Sequence, residues 1–268
     1  MVDGSRTLTV LGLTKVYHGT AAVSDVSFEV GRGDIVGLLG PNGSGKSTTL
    51  HSIVGIVRPS AGDILIGGYG HTEPLAKDEF GFVPDDLPFP GSLTAREVTA
   101  LYRRLRPRYD SALADMLLTV LGLGAHLTKP IGAFSHGMKR KLQLVTALAH
   151  RPRLLIMDEP MRGLDPEAAV LLRTVVDMFV RQGGAVLLAT HDLAAAEHLC
   201  HRVVVISGGT VVAAGAPAQL LSAHGVTGLE ELFIRVTGLD QRIAGHRSAL
   251  SEVRFHELPD QPVDALTE

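Results

Sequence analysis

The chain has 268 residues, of which 45% are hydrophobic and 20% charged, with a formal net charge of -3. This length can bury one large core, or a core with a subdomain. The lack of a dense lysine and arginine cluster argues against a nucleic-acid partner. The single cysteine, Cys200, excludes an internal disulfide and is typical of a reducing compartment. No apolar run reaches the length of a membrane span, and residues 1–6 lack a signal-peptide pattern, so we expect a cytoplasmic protein.

The chain opens with two β-rich segments, Leu8–Val16 and Ala22–Val30. They are not separated by a crossover helix, which predicts an antiparallel sheet layer. Short apolar runs recur further along, with amphipathic segments between them, and this pattern is typical of an α/β sheet covered by helices. These runs are Ile64–Ile66, Leu154–Met157, Ala185–Ala189 and Val203–Ile206.

The pattern changes where Pro84, Pro88 and Pro90 interrupt any regular element. From there to about residue 150 the periodicity is helical only, and strand character returns at Leu154. We therefore predict a helical subdomain inserted between two strands of the core. One of its helical faces is predicted to consist of Ala112, Leu113, Met116, Leu117, Val120 and Leu121. The predicted division is 1–87 and 151–240 for the two parts of the core, 88–150 for the helical subdomain, and 241–268 for a polar tail.

The most informative segment is a glycine-rich loop that follows the apolar run Ile35–Leu39 and leads into a predicted helix, Thr48–Val57. A strand, a glycine loop and a helix in that order are the context of a phosphate-binding loop. The alternative is a glycine-rich turn that contains Lys-Ser by coincidence. In the phosphate-binding interpretation, Lys46 reaches the β- and γ-phosphates of ATP, and the Ser47 hydroxyl binds Mg²⁺. The loop consists of Gly40, Pro41, Asn42, Gly43, Ser44, Gly45, Lys46, Ser47 and Thr48.

Two further apolar runs end in residues that suit phosphate chemistry. Leu154–Met157 is followed by Asp158 and Glu159, and Ala185–Ala189 leads through Thr190 to His191. Ligands of parallel sheets lie beyond the carboxyl ends of the strands. We expect Asp158 to hold the Mg²⁺ shell, Glu159 to polarise the attacking water, and His191 to contact the γ-phosphate. The alternatives are solvated acids in a strand-end turn and a surface histidine.

A second anion site is predicted at Ser135 and Gly137. Ser135 is a good N-cap for a helix from Gly137 to Ala149, whose N-terminus exposes a hydroxyl and backbone amides. One nucleotide does not need two γ-phosphate sites in one chain. The second site is therefore predicted to serve a nucleotide held by another copy.

The order of these elements resembles that of the ATP-binding cassette (ABC) ATPases, the nucleotide-binding subunits of ABC transporters. Gly40–Thr48 resembles the Walker A motif, Leu154–Glu159 Walker B, and Ser135–Lys139 the family signature. Gly163–Pro166 resembles the D-loop and His191 the switch histidine, and the resemblance covers residues 7 to 238. It implies a P-loop NTPase (RecA-like) core with an antiparallel β layer and an inserted α-helical subdomain.

The resemblance also implies further nucleotide contacts. Tyr17 lies where the family places an aromatic residue that stacks on adenine, and Asp165 lies in the D-loop. The alternative for Tyr17 is a buried strand aromatic.

Two departures from the family pattern carry information. The signature segment Phe134–Met138 keeps the serine and the second glycine of Leu-Ser-Gly-Gly-Gln but lacks the glutamine, as in ATPases paired with ABC-2 type exporter permeases. Asp85 stands where the family generally has a glutamine that contacts Mg²⁺. Its carboxylate is shorter and anionic, which argues against direct metal contact, and the alternative is a solvated acid in a proline-rich turn.

The resemblance predicts an ATPase that powers a separate membrane permease, in the direction of export. Two copies, or this chain and a paralogous ATPase subunit, would close head to tail over ATP and Mg²⁺. The permease would touch the helical subdomain near Asp85 and hold the protein at the inner face of the cell membrane. Two alternatives stay open at this point: a soluble ABC ATPase not coupled to transport, and a non-hydrolysing regulatory module.

Overall fold

The computed structural model describes residues 6–85, 89–240 and 243. The strands are β1 (Arg6–Tyr17), β2 (Thr20–Gly31), β3 (Ile35–Leu39), β4 (Ala61–Ile66), β5 (Tyr69–Gly70), β6 (Phe80–Val83), β7 (Leu154–Asp158), β8 (Ala185–Thr190), β9 (Arg202–Ser207) and β10 (Thr210–Gly215). The helices are α1 (Lys46–Ile53), α2 (Pro74–Glu79), α3 (Ala95–Leu105), α4 (Ser111–Val120), α5 (His136–Leu148), α6 (Pro166–Arg181), α7 (Leu193–Leu199), α8 (Pro217–His224) and α9 (Leu229–Val236). Among these residues no helix is both long enough and apolar enough to cross a bilayer.

The first sheet has four strands in the order β2-β1-β4-β5. β1 pairs with β2 as an antiparallel hairpin, in which Leu8 lies opposite Val30, and this confirms the predicted antiparallel layer. The placement of Ile64–Ile66 in the α/β sheet was wrong, because β4 pairs antiparallel with β1, with Ile66 opposite Leu8. The run is short and apolar in either sheet, so periodicity alone does not assign it.

The second sheet has six strands in the order β10-β9-β3-β8-β7-β6. The strands β9, β3, β8, β7 and β6 are parallel to one another. β10 pairs antiparallel with β9 and forms one edge of the sheet. Every residue of β3, β7 and β8 is buried, as expected for strands covered on both faces. Because these three strands are parallel neighbours, their carboxyl ends lie at one edge of the sheet.

The helices α3, α4 and α5 lie between β6 and β7 in the chain. α5 lies so close to β6 that a Cβ on Gly81 would overlap the Ala147 carbonyl oxygen. The predicted face of α4 was partly wrong. Met116 and Val120 are mostly exposed and the unpredicted Ala114 and Leu118 are buried, whereas the predicted Leu121, just after the helix, is buried. This helix is apolar on several sides, so packing, rather than periodicity, selects the buried stripe.

Helix α1 begins at Lys46, two residues before the predicted start, and ends at Ile53 rather than Val57. It starts directly from the loop because Gly45, in the left-handed region with φ 107°, precedes it. It ends before Gly55, which also has a positive φ, of 79°. The predicted cap of α5 is confirmed, since the Ser135 hydroxyl accepts a hydrogen bond from Met138 N–H at 3.2 Å. Apart from residue 243, the predicted tail lies outside the described residues.

His150 makes folding sensitive to pH. Its ring is 1% exposed, and Nε2 donates to the Phe80 carbonyl oxygen at 2.9 Å. Burial, with a contribution from Arg106, lowers the pKa of His150 to about 4. Between pH 6.5 and 4 the unfolded imidazole therefore binds a proton that the folded one does not, so the stability contributed by neutral His150 is lost as the pH falls. We expect this residue to lower the free energy of unfolding by roughly 1 kcal/mol between pH 7.5 and 5.5.

Urea unfolding of the wild type and of His150→Gln at both pH values measures this contribution. The variant is expected to be less stable at pH 7.5 but to lose less stability on acidification. Equal losses in the two proteins would show that the sensitivity belongs to other groups.

Candidate nucleotide site

The loop between β3 and α1 is closely packed against its surroundings. A Cβ on Gly40 would collide with Ser44 Oγ and the Ile206 carbonyl oxygen, and one on Gly45 would lie 2.7 Å from the Ala22 carbonyl oxygen. Gly43 and Gly45 also have positive φ, at 79° and 107°. Glycine is therefore required at these positions for steric or conformational reasons.

The loop and its lysine have the chemistry of an anion site. Ser44 Oγ is buried, with no hydrogen-bond partner in the part of the chain that the structure describes. Lys46 Nζ donates to the carbonyl oxygens of Gly40 at 2.6 Å and Pro41 at 3.2 Å. Burial lowers the pKa of Lys46, and the carboxylates of Glu159 and Asp158 oppose that shift. The ammonium is thus desolvated near two acids.

The acids at the end of β7 have different surroundings. Asp158 is 6% exposed, and burial, followed by the charges of Glu159 and Asp85, raises its pKa. Glu159 follows with φ 45°, in the left-handed region, and its N–H donates to the Ala189 carbonyl oxygen at 2.9 Å. A non-glycine residue adopts this conformation only where neighbouring contacts hold it.

Both carboxylate oxygens of Glu159 are engaged by the end of β8. Oε1 lies 2.8 Å from His191 Nδ1, and Oε2 accepts a hydrogen bond from the Thr190 hydroxyl at 3.1 Å. The Glu159 side chain is 14% exposed, whereas that of His191 is 61% exposed. The imidazole therefore contacts a largely buried carboxylate while most of its own surface is exposed to solvent.

Lys46, Asp158, Glu159 and His191 line one groove of about 1550 Å³. Of the residues predicted from sequence, the structure brings together here Asn42, Gly43, Ser44, Gly45, Lys46, Ser47, Thr48, Asp85, Asp158, Glu159 and His191. The lining also includes His51, Gln143 and Arg162, which sequence reasoning missed. Gln143 left a signal, since it is a polar residue between the apolar Leu142 and Leu144.

A second cluster lies at the start of α5 and does not line the groove. An added Gly137 Cβ would lie 3.7 Å from Asp165 Oδ2, and an added Gly163 Cβ would lie 3.2 Å from the His136 ring. Asp165 caps α6 by accepting a hydrogen bond from Ala168 N–H at 2.8 Å. The predicted signature and D-loop segments are thus neighbours within one chain, apart from the phosphate loop.

Tyr17 also lies outside the groove lining. It is 42% exposed, so the alternative of a buried strand aromatic is wrong. Lys15 Nζ lies 4.9 Å from the centroid of its ring, a cation–π distance. The ring is therefore a surface aromatic that already contacts one cation.

Asp85 is not merely a solvated acid. Its side chain is 31% exposed and forms ion pairs with Arg162 Nη1, at 2.9 Å, and with Arg140 Nη2, at 3.5 Å. Sequence reasoning singled out neither arginine, because their partner lies more than fifty positions away in the chain.

The sequence of this chain is similar to a known protein family and to named proteins. The protein family described as "ABC transporter" matches residues 23–162. The Nod factor export ATP-binding protein I of Burkholderia pseudomallei (strain 1710b) is 39% identical over 219 residues, which cover 78% of this chain and 71% of that protein. The linearmycin resistance ATP-binding protein LnrL of Bacillus subtilis (strain 168) is 34% identical over 259 residues, covering 92% and 81%.

A solved structure, titled "Structure of ATP binding subunit of ABC transporter", is 33% identical to this chain. The two superpose with a TM-score of 0.81, over 86% of this chain and 99% of that one. The similarity thus extends over almost the whole of the solved chain.

Proposed function

This chain belongs to the ABC transporter family, and from that premise we propose that it works as one half of a head-to-tail ATPase dimer that drives a membrane exporter. It is an ATP-binding subunit and an ATPase. The observation that carries the proposal is the separation of two half-sites on one chain. The groove contains the phosphate loop, Glu159 and His191, whereas Ser135 and Gly137 lie outside it.

The first half-site binds the triphosphate. The loop's backbone N–H groups and the N-terminus of α1 favour an anion, and the crowding at Gly40 and Gly45 keeps side chains out of that cradle. Lys46 exchanges its bonds to the Gly40 and Pro41 carbonyl oxygens for the β- and γ-phosphate oxygens. Ser47 and Asp158 supply the hydroxyl and carboxylate oxygens that suit Mg²⁺, which, when bound, would neutralise phosphate charge.

Hydrolysis uses the acid after β7. Glu159 accepts a proton from the water that attacks the γ-phosphate, as a general base. Thr190 and His191 fix its carboxylate in place through bonds of 3.1 and 2.8 Å. For an ionised Glu159, the Nδ1 of His191 is the donor. A contact of Nε2 with the γ-phosphate, whose oxygens only accept, requires that nitrogen to carry a proton as well, so both ring nitrogens would donate.

The second half-site closes over the nucleotide of the other subunit. In the proposed dimer, the Ser135 hydroxyl and the start of α5 face the γ-phosphate held by the partner's loop, and Asp165 lies beside them. Tyr17 is proposed to stack on adenine, which requires its exposed ring to exchange or share its contact with Lys15. The second subunit is another copy of this chain or a paralogue.

The membrane part of the transporter is proposed to be a separate permease. It would contact the helical segment near Asp85 and keep this subunit at the inner face of the cell membrane. The relatives named for Nod factor export and for linearmycin resistance support export as the direction, through an ABC-2 type permease.

Mixing two inactive variants tests the shared site. Lys46→Ala removes the phosphate lysine, and Ser135→Arg obstructs the second half-site. Each variant alone is expected to hydrolyse little ATP. In an equal mixture, half of the dimers are mixed, and each mixed dimer has one intact site of two. Activity should therefore rise to about a quarter of the wild-type value if the two sites act independently.

The two variants assayed separately, at the same total concentration, serve as controls. A mixture no more active than its parts, while the wild type is active alone, would contradict the shared site between two copies.

A further inference from the structure

Three charged side chains from separate elements meet at the edge of the groove, and two of them, Asp85 and Arg162, line it. Asp85 follows β6, Arg140 belongs to α5, and Arg162 follows β7. Asp85 Oδ2 accepts from Arg162 Nη1 at 2.9 Å, and Asp85 Oδ1 lies 3.5 Å from Arg140 Nη2. We call these three residues the Asp85 cluster.

Both arginines also hold the backbone of Glu159. Arg140 Nη2 donates to the Glu159 carbonyl oxygen at 3.4 Å, and the backbone N–H of Arg162 donates to the same oxygen at 3.2 Å. Arg140 further binds the Asp85 carbonyl oxygen at 3.1 Å and that of Pro84. The Asp85 cluster thus connects the end of β6, helix α5 and Glu159, the residue proposed as general base.

Burial makes the charge of Asp85 important. The Arg140 side chain is 2% exposed, and a buried guanidinium is costly unless it is paired and hydrogen-bonded. Asp85 supplies a carboxylate partner at 3.5 Å. A neutral amide at position 85 could accept a hydrogen bond but would not balance the charge.

Glu159 needs such support because its φ is 45°. This left-handed conformation is strained for a glutamate and persists only where surrounding contacts fix it. The two donors on its carbonyl oxygen are such contacts. One is the Arg140 guanidinium, which pairs with Asp85, and the other is the backbone N–H of Arg162, whose side chain Asp85 also holds.

We propose that Asp85 is a positioning residue for ATP hydrolysis, which acts through Arg140 and Arg162 on the backbone of Glu159, rather than a Mg²⁺ ligand. This inference rests on the proposed role of Glu159. It predicts that neutralising Asp85 impairs the chemical step while leaving the binding of ATP and Mg²⁺ intact.

The test compares Asp85→Asn with Asp177→Asn. Asp177 is a matched control, since its exposed carboxylate pairs with Arg181 at 2.9 Å on α6. We expect Asp85→Asn to lower kcat about tenfold, with KM for ATP and the half-saturating Mg²⁺ concentration within about twofold of wild type. Asp177→Asn should match the wild type in all three.

A double variant shows whether Asp85 and Arg162 act together. If they act as a unit, Asp85→Asn combined with Arg162→Gln should lower kcat little more than the larger of the two single effects. Additive effects would show that the residues act separately and would overturn the coupling.

Other outcomes identify what has failed. An increase in the half-saturating Mg²⁺ concentration, with normal kcat at saturation, would make Asp85 a metal ligand and overturn the proposal. An unchanged kcat, or loss of binding of a fluorescent ATP analogue together with kcat, would also overturn it. If kcat falls for Asp85→Asn but not for Glu159→Gln, Glu159 is not the base. That result overturns the proposed route through Glu159, although Asp85 is still required for turnover.

Discussion

The variant Glu159→Gln is expected to bind ATP with near wild-type affinity and to lose most of its turnover. Glutamine keeps the size of the side chain and can still accept a hydrogen bond from Thr190, but its amide does not accept a proton from water. A positioned general base typically contributes 10² to 10⁴ in rate, so we expect a loss of about that size, or roughly 3 to 5 kcal/mol. Phosphate release under saturating ATP and Mg²⁺ measures it.

The same variant should accumulate the proposed dimer in its closed form, because in the proposed cycle the dimer reopens only after hydrolysis. Size-exclusion chromatography with light scattering, with and without ATP, would detect this species. Glu230→Gln, which alters an exposed acid on α9, is the matched control and should hydrolyse ATP normally. Turnover of Glu159→Gln close to the wild-type rate would remove Glu159 from the mechanism.

The variant Lys46→Ala is expected to fail at the preceding step, nucleotide binding. Lys46 is 7% exposed and its ammonium contacts the loop carbonyl oxygens, so alanine removes a buried cation from the phosphate-binding loop. A hydrogen bond to a charged group contributes about 1.5–3 kcal/mol. We therefore expect Kd for ATP to rise about 10- to 100-fold.

Titration with a fluorescent ATP analogue measures this change. Lys129→Ala, at an exposed position, controls for the loss of a surface charge. An unchanged Kd for Lys46→Ala would refute the role of Lys46 in binding. Taken together, the two variants separate binding from chemistry, because one should change Kd and the other kcat.

Features determined by neighbouring residues could be predicted from the sequence. The loop is identified by glycine spacing between a strand and a helix, and the hairpin of β1 and β2 by two β-rich runs with no helix between them. Ser135 caps α5 through a bond to a residue three positions away. Each of these depends on local geometry, which short stretches of sequence specify.

Features determined by distant residues could not be predicted in this way. Helix α4 has apolar side chains on more than one face, and its neighbours in the fold select Leu118 rather than Met116 for burial. The pairing of Asp85 with Arg140 and Arg162 joins residues 55 and 77 positions apart. A single sequence gives the charges of these residues but not their proximity.

The close contact between Gly81 and Ala147 has a mechanical consequence. With no side chain between the backbone of β6 and that of α5, there is no compressible layer to absorb a displacement. A push on the residues just after β6, where the permease is proposed to dock, would tilt α5 as a stiff rod. Its far end carries Ser135, so a small movement at the membrane side would be transmitted to the proposed dimer interface along about 20 Å of helix.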